Sequence, residues 1–254
     1  MKTVILIAAH KPYPMPDDPV YLPIHVGCCG KKKLFGQGDD TGDNISAKNP
    51  NYCELTALYW AWKNLDYDAL GLVHYRRYFV RRALFSKKTE RILRGADFQA
   101  QLQNVKILLP KPRHYWVETS WSQYAHAHHE QDLQMTRQII AEQHPDELSA
   151  FDQVMQRRTA HRFNMFVMKR EPLNAYCSWL FPILFMLESR LDISGYTPND
   201  ARVFGFIAER LLDVWLEITN AVYTELPVAF MEKQNWFQKG TAFLIRKIRR
   251  RPGR

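Results

Sequence analysis

Residues 38–79, GDDTGDNISAKNPNYCELTALYWAWKNLDYDALGLVHYRRYF, constrain this chain more than any other stretch. They read as an acidic, Gly-containing loop, then an amphipathic helix, then a short apolar strand closing on a polar and basic cluster. Asn51 and Glu54 have the spacing of a capping box. Tyr52, Leu55, Leu58, Tyr59, Trp62 and Leu65 then recur at helical spacing. The strand Leu70–Val73 ends at His74-Tyr75-Arg76-Arg77-Tyr78. In an open α/β sheet the ligand sits beyond the carboxyl ends of buried strands, so this cluster and the acidic loop are expected to face each other across a site.

Other segments repeat the pattern. Thr3–Ala9 is apolar throughout, as in a strand covered on both faces, and ends at His10-Lys11-Pro12. Val105–Leu109 ends in a loop carrying Lys111, Arg113, His114, Tyr115 and Trp116, expected on the same edge. A strand is expected at Phe163–Met168, with helices over 120–142, 146–158, 172–191 and 200–221. Strands alternating with helices predict an α/β layered fold with a mainly parallel sheet: one domain over 1–235 and a tail over 236–254.

The residues suggest several chemistries. Asp39, Asp40, Asp43, Asn44 and Ser46 could hold sugar hydroxyls or a metal through oxygen, although the same residue types build ordinary turns. Arg76 and Arg77 offer planar forks suited to a diphosphate, against which stands a salt bridge to the acidic loop. Asp66-Tyr67-Asp68 looks like a metal signature but precedes its strand, so it reads as a helix-to-strand turn on the wrong edge. His128 and His129 would be adjacent on a helix and diverge, which disfavours zinc; one histidine facing the cleft near Asp132 is the alternative. Arg202, Gly205 and Glu209 share a helical face opposite Val203, Ile207 and Leu211, either as an active-site seam or as a solvated face.

Charge separates the tail from the body. Of the net +9, seven cations without an acid lie from Lys239 onward, leaving 9 − 7 = +2 elsewhere. Phe243, Leu244, Ile245 and Ile248 alternate there with Arg246, Lys247 and Arg249–Arg251, a pattern that suits an anionic membrane surface. Nucleic acid is the competing partner for such a tail; no module for it is visible in the body, and none is expected as a partner. The first apolar run is too short for a signal peptide and no apolar block spans a bilayer, so a cytoplasmic location is expected. Four cysteines without metal spacing are expected as free thiols.

His10-Lys11-Pro12-Tyr13, Gly42–Ser46, Glu54–Trp60, His74–Phe79, Asn164–Phe166 and Arg202–Leu211 together resemble a bacterial family first listed as a domain of unknown function. Its members occur in capsule, exopolysaccharide and O-antigen gene clusters and include galactofuranosyltransferases. The resemblance implies a GT-A-like nucleotide-binding fold. It also implies transfer of galactofuranose from UDP-galactofuranose to an undecaprenyl-linked or growing glycan at the inner membrane face. Inversion at the anomeric carbon needs a general base, for which Glu209 is the first candidate and Asp40 the second. His10, Lys11, Asp43, Asn44, Ser46, His74, Arg76 and Arg77 are then expected at the donor, and Tyr115, Trp116, His129 and Arg202 at the acceptor. His74 stands where many GT-A enzymes carry a metal-binding aspartate, which puts an obligatory Mn²⁺ or Mg²⁺ in question. Transfer of another UDP-hexose such as galactopyranose, or a non-catalytic membrane scaffold, are the alternatives.

Overall fold

A computed structural model describes residues 1–82 and 86–232. In chain order the strands and helices are β1 (Thr3–Ala9), β2 (Tyr21–His25), β3 (Gln37–Gly38), α1 (Asn49–Tyr52), α2 (Leu55–Asn64), β4 (Ala69–His74), β5 (Arg77–Phe79), α3 (Gly95–Asn104), β6 (Ile107–Pro110) and β7 (Arg113–His114). They continue with α4 (Ser120–Ala127), α5 (Glu130–Gln143), α6 (Leu148–Gln156), β8 (Thr159–Ala160), β9 (Phe166–Lys169), α7 (Arg170–Arg190), α8 (Val203–Ile218), β10 (Thr224–Leu226) and β11 (Val228–Phe230). Short 3₁₀ turns lie between some of them. The tail expected from residue 236 falls outside the described residues.

The central sheet runs β10-β6-β9-β4-β1-β2-β3, with β5 pairing the end of β4 and β11 pairing β5. It is the expected mainly parallel α/β sheet: β3, β2, β1 and β4 run one way, and β6 runs parallel to β10. β9 alone in this path is antiparallel to both neighbours, pairing Leu72 with Phe166 and Leu108 with Val167. A parallel strand would need a long crossover to re-enter from the far edge. Here the chain arrives at the ligand edge through β8, which pairs with β7, and runs back down. The entry of β9 therefore lies beside the exit of β4.

Alternating side chains divide the core into two layers. Leu6, Ala8, Leu70, Leu72, Phe166 and Met168 pack with the cluster that includes α2 and α5–α8. Ile5, Ile7, Val73 and Val167 face the other way, against Phe98 and Leu102 of α3 and against Tyr78 and Phe79. Each fully buried aliphatic contributes about 1.5–3 kcal/mol of transfer free energy. Gly71 faces that second layer, where an added Cβ would lie 2.6 Å from Ile5 Cδ1; a larger residue there would wedge β4 off β1.

Three expectations are corrected. No capping box forms at Asn51 and Glu54: Cys53, with φ of 54°, separates α1 from α2, and the Glu54 side chain turns inward. The helix expected over 120–142 breaks at His128 and His129, both in extended conformation. These histidines converge on one carboxylate, Asp200, at 3.3 and 3.9 Å. Phe163 and Asn164 precede the strand, both at positive φ. Asp66 and Asp68, by contrast, do lie at the opposite edge, held by Arg170 and by Lys2.

Candidate active site

Where the strand order reverses, at the carboxyl ends of β1 and β4, the chain leaves a cavity of about 550 Å³. Such a switch point is the natural crevice of an open sheet because neighbouring connections depart to opposite sides. His10 follows β1, His74 closes β4, Arg76 lies in the following turn, and Arg77 begins β5. Cys53 and Glu54, from the α1–α2 junction, form another wall. Arg202, Gly205 and Glu209, from the start of α8, form the third.

Local conformation aims these groups. Asn164 donates from Nδ2 to Glu54 Oε1 at 2.7 Å and to the Gly205 carbonyl at 3.0 Å, joining three elements. Its φ of 50° is one that Asn tolerates better than most residues. Phe163 N–H donates to Glu209 Oε1 at 3.0 Å, and His74 Nε2 lies 2.6 Å from the Phe163 carbonyl oxygen. Gly205 lets α8 approach closely, since a Cβ there would meet Cys53 at 3.3 Å.

Positive charge predominates. Arg76, Arg77 and Arg202 line the cavity with the carboxylates Glu54 and Glu209. Behind Glu209 stand the buried guanidiniums of Arg162 and Arg210, 3.7 and 3.6 Å from its Oε2. Arg76 pairs with Glu232 at 3.0 Å. Five guanidiniums thus face three carboxylates, a surplus of 5 − 3 = 2. Arg77 is the most telling of these groups. Its guanidinium lies over the Phe163 ring at 4.2 Å, and its buried Nε finds no hydrogen-bond partner among the described residues. Burial, then the charge of Arg76, lowers its pKa. Burial and Arg162 push Arg210 down to about 9. Both shifts arise from burial first and from a neighbouring guanidinium second, and an anionic ligand opposes them. His10 is likewise shifted down, by partial burial first and then by the charges of Lys11, Arg76 and Arg202. Cys53 is pushed up to about 12 by burial and by Glu54, so its sulfur serves as a neutral acceptor for Arg202 Nε at 3.1 Å.

Six of the sequence-derived candidates meet here: His10, His74, Arg76, Arg77, Arg202 and Glu209. Lys11 lies beside them, over the Tyr75 ring at 5.8 Å, without lining the cavity. The acidic loop does not face the cavity. Asp43 accepts from Tyr59 Oη at 3.1 Å, and Asn44 is tied to Gly42 and to the Ser46 N–H. Ser46 is buried and donates to Asp39, which also accepts from the Gly27 and Cys28 amides and from Thr56 Oγ1. Asp40 is exposed and is not among the lining residues. Tyr115 supports the wall from behind by accepting from Arg162 Nε, Trp116 is 88% exposed, and His129 stacks on Tyr196 at 4.0 Å. Glu54, Arg162, Phe163 and Arg210 join the site without being marked for it by the sequence pattern. The Glu54 and Asn164 motifs carry the family resemblance, but the left-handed turns that aim them leave no clear trace in the sequence. No three His, Cys, Asp or Glu side chains converge as a metal cradle among the described residues. The positive charge that the described residues bring to this cavity is mainly that of guanidiniums.

The family described as a domain of unknown function, DUF4422, matches residues 4–221. The chain belongs to this family. Among solved structures it is similar to the apo form of WbbM, described as a bifunctional glycosyltransferase, at a TM-score of 0.84 and 30% identity over 92% of this chain. The match covers 46% of that protein, so the DUF4422 chain spans about half the length of its structural relative. No curated protein matches it. No helix among the described residues is long and apolar enough to cross a membrane.

Proposed function

We propose that this chain is a glycosyltransferase of the GT-A type that transfers galactofuranose from UDP-galactofuranose to a lipid-linked or growing bacterial surface glycan, with inversion. The observation that carries the reading is the surplus of guanidinium charge at the sheet's switch point, centred on the underpartnered Arg77. The likeness to a glycosyltransferase structure supports the reaction class. The choice of galactofuranose comes from the family resemblance carried together by His10–Tyr13, Gly42–Ser46, Glu54–Trp60, His74–Phe79, Asn164–Phe166 and Arg202–Leu211.

In this reading Arg76 and Arg77 hold the donor diphosphate, with His10 and His74 beside it. The acceptor hydroxyl oxygen forms a bond to the anomeric carbon as the bond from that carbon to the phosphate oxygen breaks. UDP leaves with the electron pair, stabilised by the guanidiniums, and Glu209 takes the hydroxyl proton. Phe163 N–H fixes the Glu209 carboxylate while Arg162 and Arg210 compensate its charge. Glu54 replaces Asp40 as the second carboxylate of interest, because it lines the cavity and Asp40 does not. The basic tail holds the enzyme at an anionic membrane surface, where the lipid-linked acceptor lies. UDP release from a panel of UDP-hexoses, with a synthetic lipid acceptor and with or without EDTA, tests donor and metal together. Glu209→Gln is expected to lower turnover about 10²–10⁴-fold while UDP still binds; wild-type turnover in that variant refutes the assignment of the base.

A further inference from the structure

A second cavity of about 400 Å³ lies further along α8, lined among others by His161, Asp213, Asn220, Tyr223 and Glu225. His161 and Asp213 are both buried. The His161 N–H donates to Asp213 Oδ2 at 3.0 Å, and its ring Nδ1 bonds Asp213 Oδ1. Two bonds to one carboxylate fix both the backbone and the ring. With Nδ1 held by the carboxylate, Nε2 is the ring nitrogen left to a ligand. That Nε2 is buried without a hydrogen-bond partner among the described residues and lies 3.6 Å from Glu225 Oε1. At 3.6 Å the ring nitrogen and the carboxylate make no hydrogen bond to each other, and a hydroxyl group, which both donates and accepts, can bridge them.

The charge at this cavity is opposite to that of the first. Arg157 pairs with Glu217, and Asp213 and Glu225 remain, giving 1 − 3 = −2 among the lining residues. A phosphate is repelled here. A neutral ligand rich in hydroxyl donors fits, and the partly exposed Tyr223, whose ring meets His161 edge-on at 5.4 Å, adds an aromatic surface for a sugar's C–H face. Position supplies the link to transfer. Asp213 follows Glu209 by one helical turn, about 6 Å along the axis. These two carboxylates hold the amides of His161 and Phe163, so one chain segment borders both cavities.

We infer that the second cavity is a subsite for a neutral sugar unit of the acceptor, one or more units removed from the hydroxyl that reacts. The assignment to an acceptor rests on the transferase reading; the assignment to a neutral sugar rests on this cavity alone. The test is saturation-transfer NMR on the full chain with a panel of neutral hexose mono- to tetrasaccharides, and UDP as a separate probe of the first cavity. At least one oligosaccharide is expected to bind, and Glu225→Gln and Tyr223→Ala are each expected to weaken it tenfold or more while melting within about 3 °C of wild type. Absence of binding across the panel overturns the inference, as does an affinity within twofold of wild type in both variants. Binding of Zn²⁺ or spermidine in place of saccharide also overturns it. Saccharide binding without UDP binding supports the sugar site and refutes the transferase reading instead.

Discussion

Replacing Arg77 by Met should move ligand binding and stability independently. Arg77 has no carboxylate in salt-bridge contact among the described residues, its Nε is buried and unpartnered, and its contacts are the faces of Phe163 at 4.2 Å and Phe230 at 5.4 Å. Losing two cation–π contacts costs about 1–2 kcal/mol. Removing a buried donor with no acceptor returns about 1–3 kcal/mol. Met keeps much of the stem's packing, so net stability should lie between a loss of about 1 kcal/mol and a gain of about 2 kcal/mol, a Tm shift between about −4 and +8 °C at this size. Binding should respond far more. A guanidinium about 4 Å from a phosphate charge at an effective dielectric of about 20 gains about 4 kcal/mol. Truncating such a desolvated charge costs about 2 kcal/mol or more. At about 1.4 kcal/mol per decade, UDP affinity should fall about 30- to 700-fold. Calorimetric titration with UDP and a thermal melt measure the two quantities. UDP affinity within threefold of wild type would refute the anion-site argument. A melting point lowered by 10 °C or more would refute it differently, by showing Arg77 to be a structural group.

Protonation of His10 gives a pH test. Its pKa lies below the ordinary 6.5 in the free protein, and a bound diphosphate opposes that shift, so the ring takes up a proton on binding. UDP affinity should therefore rise as pH falls from 8 towards 6, and His10→Gln should flatten that slope. Stability has the opposite sign: below about 6.5 the unfolded chain binds the proton more tightly, so His10 lowers stability as the medium becomes acid. Native alkylation with iodoacetamide at pH 8 should label exposed Cys29 and spare Cys53, whose thiol is pushed up to about 12, as mass spectrometry of the digest would show. Asn164→Gly keeps the left-handed backbone but removes the bonds to Glu54 and Gly205. A loss of about 2–4 kcal/mol in denaturant unfolding is expected, and an unchanged midpoint would show that the clasp carries no stability.

The strands and the helical seam were readable because they depend on short-range periodicity. Thr3–Ala9 and Leu70–Val73 are apolar on consecutive positions because both faces are covered, and Arg202, Gly205 and Glu209 share a face because helical spacing places them there. Features depending on a single left-handed residue were not readable. Cys53 at φ 54° turns Glu54 away from helix capping and into the cavity, although its residue type gives no reason to expect that conformation. The acidic loop misled because Asp, Asn and Ser bind ligands and close turns with the same atoms. Only tertiary contacts decide between these roles, and here the Gly27 and Cys28 amides with Ser46 and Thr56 consume Asp39.

The reversed strand β9 explains why the site could assemble at all. Had this strand been parallel to β4, its polar entrance would lie at the opposite edge, beside Asp66 and Asp68. Running antiparallel, it brings Arg162, Phe163 and Asn164 to the exit of β4, where each of the three meets a glutamate. Glu54 arrives from the α1–α2 junction and Glu209 from α8, so these contacts tie both helical walls to the sheet edge. The groups expected to perform transfer are thus also the hydrogen bonds that hold the walls in place. Charge surplus and left-handed backbone concentrate at this edge of the sheet. That is where a fold accepts local cost to keep polar groups aimed at a ligand.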